Sequence, residues 1–304
     1  MKKAIKYSII VCIVSWIYAA IIIFVIGIKN VNDSPFAYSI LAAIYMLFPM
    51  LCAMVIQFFD RERFSSNKLL RFKMSSSWIA AWFLPVCIVL LTILVNLLIP
   101  GIEFNKDVAE MFSHDKIDES QRELVANMMS PLFMILVTIV SGLFAGITIN
   151  AVFAFGEEYG WRSYMVNALR KKDFTFATIF TGVVWGFWHF PLILIGHNYP
   201  QHPIAGVFMM VLFCILISFI ELYLVLKAKS VYPAAIFHGT INALGGLNII
   251  LIKGGGDLLN GITGLSGFVA MSIIVLMIFV FDKYIFRDNI FNKTIEEVLE
   301  DGER

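Results

Sequence analysis

Charge is scarce in this chain. Lys, Arg, Asp and Glu make up 15% of its 304 residues and apolar types 60%, whereas a soluble domain ordinarily carries about 25% charged residues. Such a composition belongs to a bilayer. Cysteine is sparse too: Cys12, Cys52, Cys87 and Cys214 all lie inside apolar runs, which reads as small core residues rather than as halves of disulfides or of a metal site. The zinc-protease pattern His-Glu-x-x-His is missing. So are low-complexity tracts and internal repeats, which leaves the inverted halves of many transporters without support. The 23 basic and 22 acidic residues nearly cancel, so no basic surface for nucleic acid is expected.

What the chain has is long apolar runs. Crossing the hydrocarbon takes roughly 20 residues, because a helix rises about 1.5 Å per residue through about 30 Å. Segments 7–28, 36–58, 78–99, 132–155, 176–196, 204–226, 231–252 and 261–281 meet this length. The sequence therefore predicts an all-α, polytopic membrane bundle of about eight helices, with the bilayer as its first partner. One domain over 1–304 is the simplest division, with a motif-bearing core at about 132–252. The first run is too long for a cleaved signal peptide and reads as a retained anchor. Segment 100–131 is the longest polar connection and is expected to hold a short helix.

Basic residues sort by side. Eighteen of the 23 fall before residue 7, in 60–77, in 162–172, at Lys227 and Lys229, or after residue 281, and the other five fall in the alternate connections. Because cytoplasmic loops retain Lys and Arg, both termini are expected in the cytoplasm, with the plasma membrane as the location. The opposite side is acidic: 103–123 holds seven carboxylates and three cations.

Ionisable residues inside a span cost about 2.5–3.5 kcal/mol each on insertion scales and call for a functional reading. They form three clusters. In Gly156-Glu157-Glu158-Tyr159-Gly160-Trp161-Arg162, Glu158 and Arg162 are four apart and can pair on one helical face. Glu157 is turned about 100° from Glu158, so Arg162 cannot readily serve both and Glu157 is left free for proton transfer. The second cluster is Trp185-Gly186-Phe187-Trp188-His189-Phe190-Pro191. A lone histidine there could be a hydrogen-bonded core residue. However, Glu157 and His189 lie at similar distances from the turn Arg170-Lys171-Lys172, so an antiparallel pair would bring them to one depth.

The third cluster is Phe237-His238-Gly239-Thr240-Ile241-Asn242, where His238 and Asn242 share a face and Gly239, Gly245 and Gly246 allow close backbone approach. Its bland reading is packing glue between helices. His238 lies only nine residues after Lys229, about 13 Å, against more than 20 Å for the other two groups. Convergence thus requires the fourth and fifth helices to project beyond the membrane, with 163–172 as a helical extension. His114, His197 and His202 read as surface residues of polar connections. Glu221 could pair with Lys227 or line the site.

In order and spacing these clusters resemble the CAAX protease and bacteriocin-processing (CPBP or Abi) family of intramembrane proteases, which includes the Ras-converting CAAX endopeptidases. The family pattern is a double Glu with Arg after three intervening residues, an aromatic with His after three, and His with Asn after three. Glu157, Glu158 and Arg162 match the first element, and His238 with Asn242 the third. Trp185 with His189 matches the second, with Trp where the family usually has Phe.

The resemblance implies hydrolysis of a peptide bond of a membrane-associated or lipid-accessible peptide, in a helical cavity opening toward the cytosol. Glu157 would be the general base that activates water and His189 would help to hold that water. His238 and Asn242 would donate to the tetrahedral oxyanion, and Glu158 and Arg162 would support the helix. The preferred reading needs no cofactor. The alternative, in line with the label metalloprotease, is Zn²⁺ on Glu157, His189 and His238. Two other readings of the polar set remain: a proton- or ion-coupled transporter, and a non-catalytic immunity or scaffold protein that binds a peptide.

Overall fold

A computed structural model describes residues 1–62, 68–107 and 130–301, together with Asp118 and Ser120. The polar connection expected to hold a short helix, and His114 within it, lie almost wholly outside the described residues. The helices are α1 (Lys2–Ile26), α2 (Pro35–Phe59), α3 (Ser76–Asn96), α4 (Pro131–Ile147), α5 (Ile149–Ala168), α6 (Phe174–Trp188) and α7 (Phe190–Leu194). They continue with α8 (Pro203–Ala228), α9 (Tyr232–Leu251), α10 (Leu265–Phe286) and α11 (Ile295–Glu300). One short antiparallel pairing, β1 (Glu103–Phe104) with β2 (Ile252–Lys253), joins two connections at one end of the bundle.

The chain is thus a polytopic helical bundle. Six of the described helices are long and apolar enough to cross a membrane, and seven if α4 and α5 count as one bent span. The remaining expected crossing, 176–196, is α6, which is shorter than the other spans and is carried on by α7 after a turn at His189. Outward faces are apolar along the whole bundle: Ile13, Ile17 and Phe24 on α1, Val140 and Phe144 on α4, and Leu276 on α10 are all exposed. In water such a surface would aggregate; in lipid it is the solvated face.

Local sequence sets the helix ends. Proline opens α2, α4 and α8, where its missing N–H has no intrahelical partner to lose. Asp173 accepts from the Phe176 N–H at 2.8 Å and so caps α6. Thr294 and Glu297 form a reciprocal capping box on α11. At Thr148 the chain leaves helical geometry (φ −113°, ψ −102°) and α5 turns by 52° from α4. There the Thr148 hydroxyl donates to the Phe144 carbonyl at 2.7 Å, occupying an acceptor that the broken helix frees.

Glycines govern the closest crossings. A Cβ on Gly239 would lie 2.5 Å from the Gly146 carbonyl oxygen and 2.7 Å from the Ala151 nitrogen, so α9 crosses the α4–α5 bend in backbone contact. Of the other two glycines expected to act this way, Gly245 faces the Ile262 side chain and Gly246 has open space. Gly182 and Gly186, outside the third cluster, make equally close approaches. Their Cβ positions fall 2.6 Å from the Ile215 Cα and 2.5 Å from the Val211 Cα, which seats α6 on α8.

The 163–172 extension of α5 is covered by other parts of the chain. Residues Tyr159–Met165 form a π-helical turn whose side chains are all buried. The segment leading into α11 then packs on the basic turn: Ile295 N–H donates to the Lys172 carbonyl at 3.0 Å and Glu296 N–H to the Arg170 carbonyl at 2.8 Å. Arg170 also pairs with Glu296 and Glu300.

Candidate active site

The π-helical turn that begins at Tyr159 follows directly on Glu157 and Glu158, and the two carboxylates face different partners. Glu158 and Arg162, one turn apart, pair at 3.3 Å as their spacing predicts. Arg162 has a second carboxylate, the Glu221 of α8, with which it forms a buried ion pair, and it donates to the Ser218 hydroxyl at 2.9 Å. Glu158 also accepts from His238 Nδ1 at 2.8 Å. Helices α5, α8 and α9 are therefore tied by one polar network at exposures of 0–1% for Glu158, Arg162 and Glu221.

Glu157 stands outside that network. Its Oε2 accepts from the Trp185 indole N–H at 2.6 Å, while the Arg162 guanidinium lies over the face of the same indole, 4.2 Å from the ring centroid. Trp185 thus separates the cation from the second carboxylate. A phenylalanine could offer the ring face but no donor. One turn later His189 Nδ1 lies 2.9 Å from the Trp185 carbonyl oxygen. A carbonyl only accepts, so Nδ1 carries the hydrogen, and in the neutral ring Nε2 keeps the lone pair. The Trp185 ring lies 5.7 Å from the His189 ring and 5.3 Å from the His238 ring.

The first two helices brace this arrangement. Trp188 donates its indole N–H to the Ser15 hydroxyl at 2.8 Å, and its carbonyl accepts from Tyr45 at 2.7 Å and from Trp16 at 3.2 Å. Ser15 lies near the middle of α1, so the turn that carries His189 sits near mid-span. Nothing in the motif spacing signalled Ser15 or Tyr45. Glu221 and Ser218 had a weaker signal, since they lie three residues apart on one face of an apolar helix.

Glu157, His189, His238 and Asn242 all line one cavity of about 620 Å³, within the range of ligand pockets. The four predicted residues therefore do come together. His238 differs from expectation in its bond to Glu158, and Asn242, one turn on, is exposed. His197, read as a surface residue, is another lining residue and packs at 5.8 Å against the Tyr38 ring. His202 is a surface residue, bonded to Asp257 at 2.6 Å. The cysteines are free.

The cavity opens at the end of the bundle away from the basic turns. Its walls are Tyr45, Met210, Phe213, Ile217 and Ile241, and its far rim is Asn198, Gln201, Gly254, Gly255, Asp257 and Asn260. That rim belongs to the connections before α8 and before α10, at the opposite end from Arg170–Lys172 and Lys227–Lys229. Beneath Glu157 and His238, toward the basic turns, the buried Glu158–Arg162–Glu221 network fills the bundle.

The donor set also bears on zinc. Among the described residues, the grouping whose ligand atoms lie within 4.8 Å of one another is Glu158, Glu221 and His238, not Glu157, His189 and His238. Arg162 is already bound to both carboxylates of that grouping. A cation in their midst would displace or face the guanidinium, so these residues do not fit a zinc centre.

Comparison with known proteins agrees with the sequence clusters. Residues 128–244, which hold all three, match the family described as type II CAAX prenyl endopeptidase Rce1-like. Over 93 residues the chain is 32% identical to CAAX prenyl protease 2 of Methanococcus maripaludis, a stretch covering 28% of this chain and 34% of that protein. The chain thus spans about a third of the length of the curated relative that it matches.

Proposed function

We propose that this chain is an intramembrane endopeptidase that hydrolyses a peptide bond of a membrane-associated or lipid-accessible peptide with water activated by Glu157. The observation that carries the reading is the separation of two adjacent carboxylates: Glu158 belongs to the Arg162 network, whereas Glu157 is held by Trp185 and lines the cavity beside His189, His238 and Asn242. In the proposed reaction Glu157 takes a proton from water, and His189 Nε2 accepts the other hydrogen and orients the nucleophile. The resulting hydroxide adds to the carbonyl carbon. Asn242 and His238, the latter as an imidazolium whose Nδ1–H is held by Glu158 and whose Nε2–H is free, donate to the oxyanion as the carbonyl double bond opens. Collapse breaks the C–N bond, and Glu157 returns its proton to the departing amine.

The basic asymmetry supports a plasma-membrane orientation with both termini in the cytoplasm. The bilayer and a peptide or protein substrate are the proposed partners, and no cofactor enters the scheme. The test is comparative peptidomics of cells carrying the wild-type chain or Glu157→Ala, followed by assay of purified protein after exhaustive chelation. Peptides that disappear in the variant, with activity retained after chelation, are the expected result. Identical peptide profiles would remove the enzymatic reading, and loss on chelation with rescue by Zn²⁺ would overturn metal-free catalysis.

Trp185 gives a finer test. Trp185→Phe keeps an aromatic face for Arg162 but removes the donor to Glu157. A hydrogen bond to a charged group contributes about 1.5–3 kcal/mol, so kcat/KM should fall roughly tenfold to hundredfold, mostly in kcat, at normal protein yield. Unchanged kcat would show that the indole N–H does not position the base.

A further inference from the structure

The cavity has a floor, a mouth and an open flank, and these bear on which peptides can reach Glu157. Its floor, Glu157 with Trp185 and His238, lies near mid-span. Below it the bundle is closed by Glu158, Arg162 and Glu221, each at most 1% exposed, so among the described residues no cavity lining comes from the basic turns. Above it the lining runs to the connections that hold Gln201 and Asp257, where Gln201 and Gly254 are exposed. The flank is formed by Ala42 and Met46 on α2 and by Asn242, Gly246 and Ile249 on α9, the last three exposed although they line the cavity.

Lining chemistry changes along this path. Around the floor the walls are aromatic and aliphatic, suited to apolar side chains beside the scissile bond. At the mouth they are amide, carboxylate and glycine backbone, suited to a hydrated chain. Because 18 of 23 basic residues mark the opposite end as cytoplasmic, the mouth faces the non-cytoplasmic side.

We infer that the substrate is a membrane-anchored peptide entering from the non-cytoplasmic surface: its apolar anchor lies in the outer leaflet against the α2–α9 flank, and its extended segment passes the mouth to reach Glu157. This rests on the hydrolytic reading above and deepens it. A chain end presented from the cytosol would have to pass the Glu158–Arg162–Glu221 network. The substrate class is therefore an exported or outward-facing anchored peptide.

The test uses the full-length chain in intact cells, with Cys12, Cys52, Cys87 and Cys214 replaced by alanine and a single cysteine introduced as Gln201→Cys or, as the opposite-side control, Lys171→Cys. The probe is a bulky, membrane-impermeant maleimide, and the activity readout is release of the Glu157-dependent peptides. Expected is labelling of Gln201→Cys but not Lys171→Cys in intact cells, with peptide release from the labelled Gln201→Cys protein reduced at least tenfold. Labelling of Gln201→Cys only in inside-out vesicles overturns the inference. So does full labelling from outside with undiminished release. Failure of the wild-type protein to release peptides in a Glu157-dependent manner overturns the hydrolytic reading itself, and the inference falls with it; the labelling pattern shows which of the two has failed.

Discussion

Membranes carrying Glu157→Gln should contain as much folded protein as wild-type membranes and release the Glu157-dependent peptides about 10²–10⁴-fold more slowly, the range typical of losing a general base. The amide keeps the size of the side chain and can still accept from the Trp185 indole, so the contact at 2.6 Å survives. It cannot take a proton from water. Since Arg162 is engaged by Glu158 and Glu221, neutralising Glu157 strands no cation, and stability has little reason to change. Yield and turnover should be measured on the same preparation. An active, well-expressed Glu157→Gln protein would remove the base from the mechanism, and with it the main chemical argument for hydrolysis.

Arg162→Ala should do the reverse. It leaves Glu158 and Glu221 facing each other without a cation, both fully buried, and removes the guanidinium from the Trp185 face. Breaking a buried pair by removing one partner costs about 3–5 kcal/mol. Folded yield and Tm in detergent should therefore fall sharply, before any effect on turnover can be read. Glu158→Gln should be milder, because the amide oxygen can still accept from His238 Nδ1 while the charge on Arg162 keeps Glu221. Combining Arg162→Met with Glu221→Gln should recover part of the loss, since coupled residues are not additive. A wild-type Tm for Arg162→Ala would show that the network does not hold α5, α8 and α9 together.

The Glu157→Gln and Glu158→Gln outcomes separate residues that are adjacent in the chain and chemically identical. The separation was half legible in the sequence. The four-residue step from Glu158 to Arg162 specifies their pairing, and the 100° turn to Glu157 specifies that it must look elsewhere. What it looks at, the Trp185 indole, was invisible. Trp185 reads as a substitute for Phe in a motif, and nothing in its position says that its N–H points across to the next helix. Glu221 was left between two partners for the same reason. A helix position fixes a face, but the neighbour opposite that face depends on how helices cross.

Sequence by itself determined the class of structure. Apolar runs of spanning length in a chain so poor in charge can be satisfied only by a bundle in lipid, because hydrocarbon offers no partner to an open backbone. It also determined which polar residues are unusual, since each ionisable group in a span costs free energy and must be compensated. Tertiary structure decided the rest. The 52° bend at Thr148, the contacts of Gly239, Gly182 and Gly186, and the covering of 163–172 by the segment at α11 set the relative heights of α5, α6 and α9. Those heights bring His238 to Glu158 and leave Glu157 at the floor of a cavity. They also close that cavity toward the basic turns. Periodicity along one helix is a local property of the chain, whereas the side on which a cavity opens depends on packing among helices far apart in sequence.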